Sequence, residues 1–141
     1  MTKFEFYNNN PKGVLTEDCV IRSVSAFLNQ PYEKTLNDLL DIYKETGIHI
    51  GDKKCFIEYL KRIDKIDVIN VSYDERITIT ELSILISRNN WSRLNGLTEK
   101  NSKNLLILLC NNHLTYFKDY VIMDTWNCAC EYISQIYIYK D

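Results

Sequence analysis

The chain carries 141 residues, 17 basic against 19 acidic for a net charge of −2, 45% apolar residues, and only four Gly and two Pro. That length supports one core, so a single domain over residues 1–141 is expected, and the composition excludes disordered and collagen-like chains. No basic patch stands apart from acidic residues, which argues against a nucleic-acid partner; the longest apolar run, Leu105 to Cys110, falls far short of the ~20 residues that span a bilayer, which argues against a membrane.

The elements follow in chain order. "KFEFY" (3–7) alternates and reads as a short strand, and "NNNPKGVLTE" (8–17) as a loop. From Asp18 the period turns helical, with Val20, Val24, Phe27 and Leu28 on one face, and Pro31 stops this helix near Gln30. A second helix starts near Tyr32, with Leu36, Leu39, Leu40 and Tyr43 as its apolar stripe and Gly47 as its C-cap. A third runs from an Asp52 N-cap to about Ile63, with Phe56, Leu60 and Ile63 inward. The run "GDKKCFIEYLKRIDK" mixes acids with bases and reads as a solvated helix face. "IDVINVSY" (66–73) is a strand, and Thr78-x-x-Glu81 is a capping box that opens a helix over 79–90. Four strands close the chain: 105–110, 113–118, 120–126 and 132–139. Helices before strands predict α+β, with the N-terminal helices packed on a C-terminal antiparallel sheet. Tyr132, Tyr137 and Tyr139 are expected to line a face of that sheet.

The five cysteines (19, 55, 110, 128 and 130) are odd in number and form no disulfide framework. The start "MTKFEFYNNNPKG" has no apolar signal region, so reduced thiols and a cytoplasmic location are expected. Cys128-Ala129-Cys130 lacks the C-x2-4-C spacing of zinc sites, and His49 and His113 lie far apart, so neither a metal nor a cofactor is expected.

Chemistry points to Cys19, at the start of the first helix, where the dipole favours a thiolate. In "NHLTYFKDYVIMDTW" two strands flank Lys118-Asp119. With those two residues as the loop, Phe117 faces Tyr120, Thr115 faces Ile122 and His113 faces Asp124, so an imidazole stands beside a carboxylate. An imidazole can take the thiol proton, and the carboxylate fixes the tautomer and stabilises the cation. Asp18 either raises the neighbouring thiol's pKa or caps the helix, and the cap is the preferred reading. Cys55, Cys110, Cys128 and Cys130 receive no role, since free Cys is usually a core residue.

The stretch "NPKG…EDCVIRSVSAFLNQPYEKTLNDLL" resembles the start of papain-like cysteine peptidase domains of bacterial and phage proteins. These carry an Asp-Cys ahead of a helix and an Arg three residues after the Cys. "HLTYFKDYVIMDTW" resembles the same group's His strand and its "Asp-Thr-Trp". The layout is similar to that of bacteriocin-leader processing peptidases, and the resemblance spans about residues 8–130. It implies a papain-like fold with Cys19 as nucleophile, His113 as general base and acid, and Asp124 as the residue orienting His113. It also implies Trp126 as a shield over the His–Asp bond, or a core anchor, and Arg22 as a structural partner of Asp18 or of the 8–17 loop. No Gln precedes the Cys as oxyanion donor; Asn10 is the substitute chosen, with the Cys19 backbone N–H beside it. Glu17 and Asn112 stand where the family usually has Gly.

Three functions are weighed: a thiol hydrolase acting on a peptide or protein substrate, an inactive papain-like fold that binds and inhibits a host protein, and an acyl transferase using the same triad.

Overall fold

The computed structural model describes residues 2–13 and 18–141. Among these, four α-helices and six strands form an α+β fold around one mixed sheet. The strands are β1 (Lys3–Phe6), β2 (Ile66–Asn70), β3 (Asn104–Leu109), β4 (Leu114–Lys118), β5 (Val121–Asp124) and β6 (Ile133–Tyr139), in the order β1-β5-β4-β3-β6-β2. The helices are α1 (Cys19–Leu28), α2 (Tyr32–Thr46), α3 (Lys53–Lys61) and α4 (Ile79–Ser87). Of the expected 8–17 loop, 14–17 lie outside the described residues, Glu17 with them.

Local signals set several boundaries. Asp52 caps α3 by accepting from the Lys54 N–H at 2.9 Å, and Thr78 and Glu81 close both halves of the capping box on α4. Gly47 ends α2 at φ 77°, a left-handed conformation that glycine adopts without a Cβ penalty. Asn29 does the same for α1 at φ 52°, one residue before the stop expected from Pro31.

β3 is central, and both its faces are buried. Leu106 and Leu108 join α1, α2 and α3 through Val24, Phe27, Leu39, Phe56 and Leu60. Leu105, Ile107 and Leu109 join α4 on the other face through Ile79, Leu82 and Ile86. A strand covered on both sides reads as the continuous apolar run seen in this segment. Each such Leu contributes about 1.5–3 kcal/mol by leaving water.

Two expectations are corrected, the all-antiparallel sheet and the apolar stripe of α2. The sheet is not purely antiparallel: β1 pairs in parallel with β5. The chain between these two strands passes through every other helix and strand except β6, so no hairpin signal could reveal the pairing. The N-terminal helices α1–α3 pack on one face as expected, and α4 covers the opposite one. The buried stripe of α2 is Thr35, Leu39 and Ile42, while Tyr43 is exposed. Thr35 turns inward because its hydroxyl accepts hydrogen bonds from Ser25 and Gln30.

Candidate active site

The β4–β5 hairpin positions two of the expected site residues. Its register pairs Phe117 with Ile122 and Lys118 with Val121, so the loop is Asp119-Tyr120, one residue along from the expected loop, and each residue's partner shifts by two. Both loop residues have positive φ, 48° and 69°, as a type I′ turn requires. A slip of two preserves which side chains share a face, so His113 and Asp124 still meet. They do so diagonally rather than directly opposed, with Nε2 of His113 2.6 Å from Oδ2 of Asp124. The β3–β4 turn aims the imidazole. The Asn111 side chain accepts from the His113 N–H, and Asn112 takes φ 67°, a conformation Asn tolerates in place of Gly.

Cys19 is the first residue of α1 and is partly buried. One turn further on, the Ser23 hydroxyl donates to the Leu114 carbonyl at 2.9 Å, pinning α1 against the start of β4. His113 stands close enough to Cys19 for each to shift the other's protonation. Because Nε2 faces Asp124, Nδ1 is the nitrogen left for sulfur. Burial alone would raise the Cys19 pKa. Hydrogen bonds with His113 and the Leu114 backbone, and the charges of His113 and Arg22, outweigh it and bring the thiol below its ordinary value. Burial would likewise depress His113, but the bonds to Asp124, Cys128 and Cys19 raise it to about 11. Asp124, 1% exposed, is lowered against its own burial chiefly by His113. Its other oxygen, Oδ1, accepts from the Thr125 N–H at 2.7 Å and faces the Arg22 guanidinium at 3.4 Å. This set of contacts favours a thiolate–imidazolium pair beside an ionised carboxylate.

Asp18 does not cap α1, because its side chain makes no capping hydrogen bond. It accepts instead from Arg22 Nε at 2.6 Å, the Tyr32 hydroxyl at 2.7 Å and Asn10 Nδ2 at 2.8 Å. A side chain drawn toward the Arg22 guanidinium cannot also turn back to the N–H groups of its own helix. Burial would raise its pKa, but these three partners hold it below the ordinary value. Arg22 therefore bridges Asp18 and Asp124, and its carbonyl also accepts from Asn9, so it meets both partners expected of it. Asn10 Nδ2 donates to Asp18 at 2.8 Å and to the Tyr32 hydroxyl at 3.5 Å, which turns its amide away from the expected oxyanion role. The Cys19 backbone N–H remains, at a helix start where such groups lack an intrahelical partner. Trp126 is 41% exposed and so anchors no core; its ring lies 4.8 Å from that of His113, tilted by 45°, and covers the imidazole.

Two features escaped sequence reading. Tyr32, at the start of α2, supports Asp18, a role that its place in the link before α2 did not reveal. Cys128 is 1% exposed, and its sulfur lies within 4.8 Å of a His113 ring nitrogen, a proximity created only by the folded chain. A groove of about 860 Å³ beside α1 is lined by Tyr7, Asn9, Tyr32, Tyr116, Met123 and Tyr139, among others. None of the three triad residues lines it.

No protein-family model, curated protein or solved structure matches the chain. Among the described residues, no helix is long and apolar enough to cross a membrane.

Proposed function

We propose that the chain is a papain-like cysteine peptidase domain that hydrolyses an amide bond in a peptide or protein. The observation that carries this reading is the 2.6 Å His113–Asp124 contact, set beside a cysteine at the first turn of a helix whose thiol the same imidazole helps hold below its ordinary pKa. In this mechanism the Cys19 thiolate attacks the carbonyl carbon, and the Cys19 N–H donates to the oxyanion. The His113 imidazolium gives its proton to the leaving amine as the C–N bond breaks, which leaves a thioester. Neutral His113 then takes a proton from water, the resulting hydroxide adds to the thioester, and the C–S bond breaks. Collapse returns the carboxylic acid product and the Cys19–His113 pair. Asp124 holds the imidazole orientation throughout, and Trp126 keeps water from the His–Asp bond.

The test is digestion of a denatured-protein peptide mixture, read by mass spectrometry, with wild type and Cys19→Ala. New termini that appear with wild type and disappear with Cys19→Ala support the reading. Equal cleavage by both removes it.

A further inference from the structure

Cys128 is the nucleophilic group that the proposed mechanism leaves unused. It packs in the α4-side core, yet its sulfur has polar company. One ligand atom each from His113, Asp124 and Cys128 lie within 4.8 Å of one another. Thiolate sulfur, imidazole nitrogen and carboxylate oxygen are the donor types that hold Zn²⁺ at roughly 2.0–2.3 Å. Around a tetrahedral ion at those lengths, ligand atoms stand roughly 3.3–3.8 Å apart. The three donors bracket that spacing: the 2.6 Å His113–Asp124 pair opens to admit a cation, and atoms up to 4.8 Å apart draw in. The sulfur excludes Ca²⁺ and Mg²⁺, which prefer all-oxygen shells. Asp124 is suitably prepared, since Oδ1 is held by Thr125 and Arg22 while Oδ2 faces His113.

We propose that His113, Asp124 and Cys128 form an inhibitory binding site for a thiophilic divalent cation, with Zn²⁺ the best match. Three protein ligands leave a fourth position open to water or another small ligand. The cation takes the nitrogen and carboxylate oxygen that otherwise share a proton, while the Cys128 thiol and the imidazolium release theirs to solvent. The metal-bound site then holds no imidazolium to pair with the nucleophile. That the cation inhibits rests on the thiol mechanism proposed above; that it binds does not.

Co²⁺ serves as the spectroscopic stand-in, because thiolate ligation gives a sulfur-to-cobalt charge-transfer band. The titration uses a chain carrying Cys110→Ser and Cys130→Ser, which removes the two exposed thiols. One equivalent of Co²⁺ is expected to give the band, and the band is expected to survive Cys19→Ala. Cys128→Ser is expected to abolish it and to weaken Zn²⁺ binding, measured by calorimetry, at least about 100-fold, the upper end of what outer-shell partners alone contribute. His113→Gln, at a side chain still 13% exposed, is expected to weaken Zn²⁺ as well. If Cys128→Ser fails to fold, the Cys19→Ala arm still decides, because a band there needs a sulfur other than the nucleophile. Absence of stoichiometric binding would overturn the proposal. So would a band lost in Cys19→Ala and kept in Cys128→Ser, which describes cation capture by the nucleophile alone. Alkylation of Cys19 in chelator tests the nucleophile without metal, and Co²⁺ titration of Cys19→Ala tests the metal without the nucleophile, so the two readings fail separately.

Discussion

Replacing Arg22 with Met keeps much of the side chain's volume and removes its charge. Arg22 and Asp18 are 7% and 8% exposed with Nε and Oδ1 2.6 Å apart, and the guanidinium also faces buried Asp124 at 3.4 Å. Breaking a buried pair by removing one partner destabilises by about 3–5 kcal/mol, because the other charge is left uncompensated. Asp18 keeps the Tyr32 and Asn10 bonds and Asp124 keeps His113, which places the loss at the lower end, about 3 kcal/mol. For a chain of this size that is a fall in Tm of roughly 10 °C. The assay is urea unfolding followed by circular dichroism at pH 7, for Arg22→Met, Asp18→Asn and the double variant. The double variant should recover at least half of the Arg22→Met loss, since its Asn still accepts from Tyr32 without a charge to compensate. The Asp18 pKa is lowered in the folded state, so its stabilisation is present above the unfolded carboxylate value and is lost as pH falls through the folded one. The Arg22→Met deficit should shrink in acid accordingly. A loss under about 1 kcal/mol, or strictly additive single variants, would refute the buried bridge.

Further outcomes follow from the same contacts. His113 is raised to about 11, so its contribution to stability is complete below the unfolded value near 6.5 and is lost as pH rises through about 11. Its ring should remain doubly protonated at pH 8 by NMR, and a midpoint near 6.5 would contradict the Asp124 pairing. Thr78→Ala removes the reciprocal capping bonds of α4 and should cost about 1 kcal/mol in urea unfolding; no change would mean that α4 is held by packing alone.

The elements marked by short-range chemistry were readable from sequence: the Asp52 cap, the Thr78–Glu81 box and the Gly47 C-cap each depend on a few neighbouring residues. The meeting of His113 with Asp124 was readable because strand parity survives a two-residue slip, even though the loop position did not. A Tyr at φ 69° gives no turn signal, and Lys118-Asp119 is the better turn on composition alone. The parallel β1–β5 pair, the Asp18–Tyr32 bond and the place of Cys128 against His113 join residues far apart in the chain, and no periodicity carries them. Asp18 was misread for a related reason: a helix-start Asp looks like a cap until a buried Arg one turn along competes for it.

The central claim is that His113 and Cys19 form an ion pair. It is tested most directly by the pH dependence of iodoacetamide alkylation at Cys19, followed by peptide mass spectrometry in chelator, for wild type and His113→Ala. An apparent thiol pKa below the ~8.5 of a free cysteine, rising to that value or above it in His113→Ala, is the predicted result. A wild-type thiol that ionises at or above that value, unmoved by the loss of His113, would contradict the account.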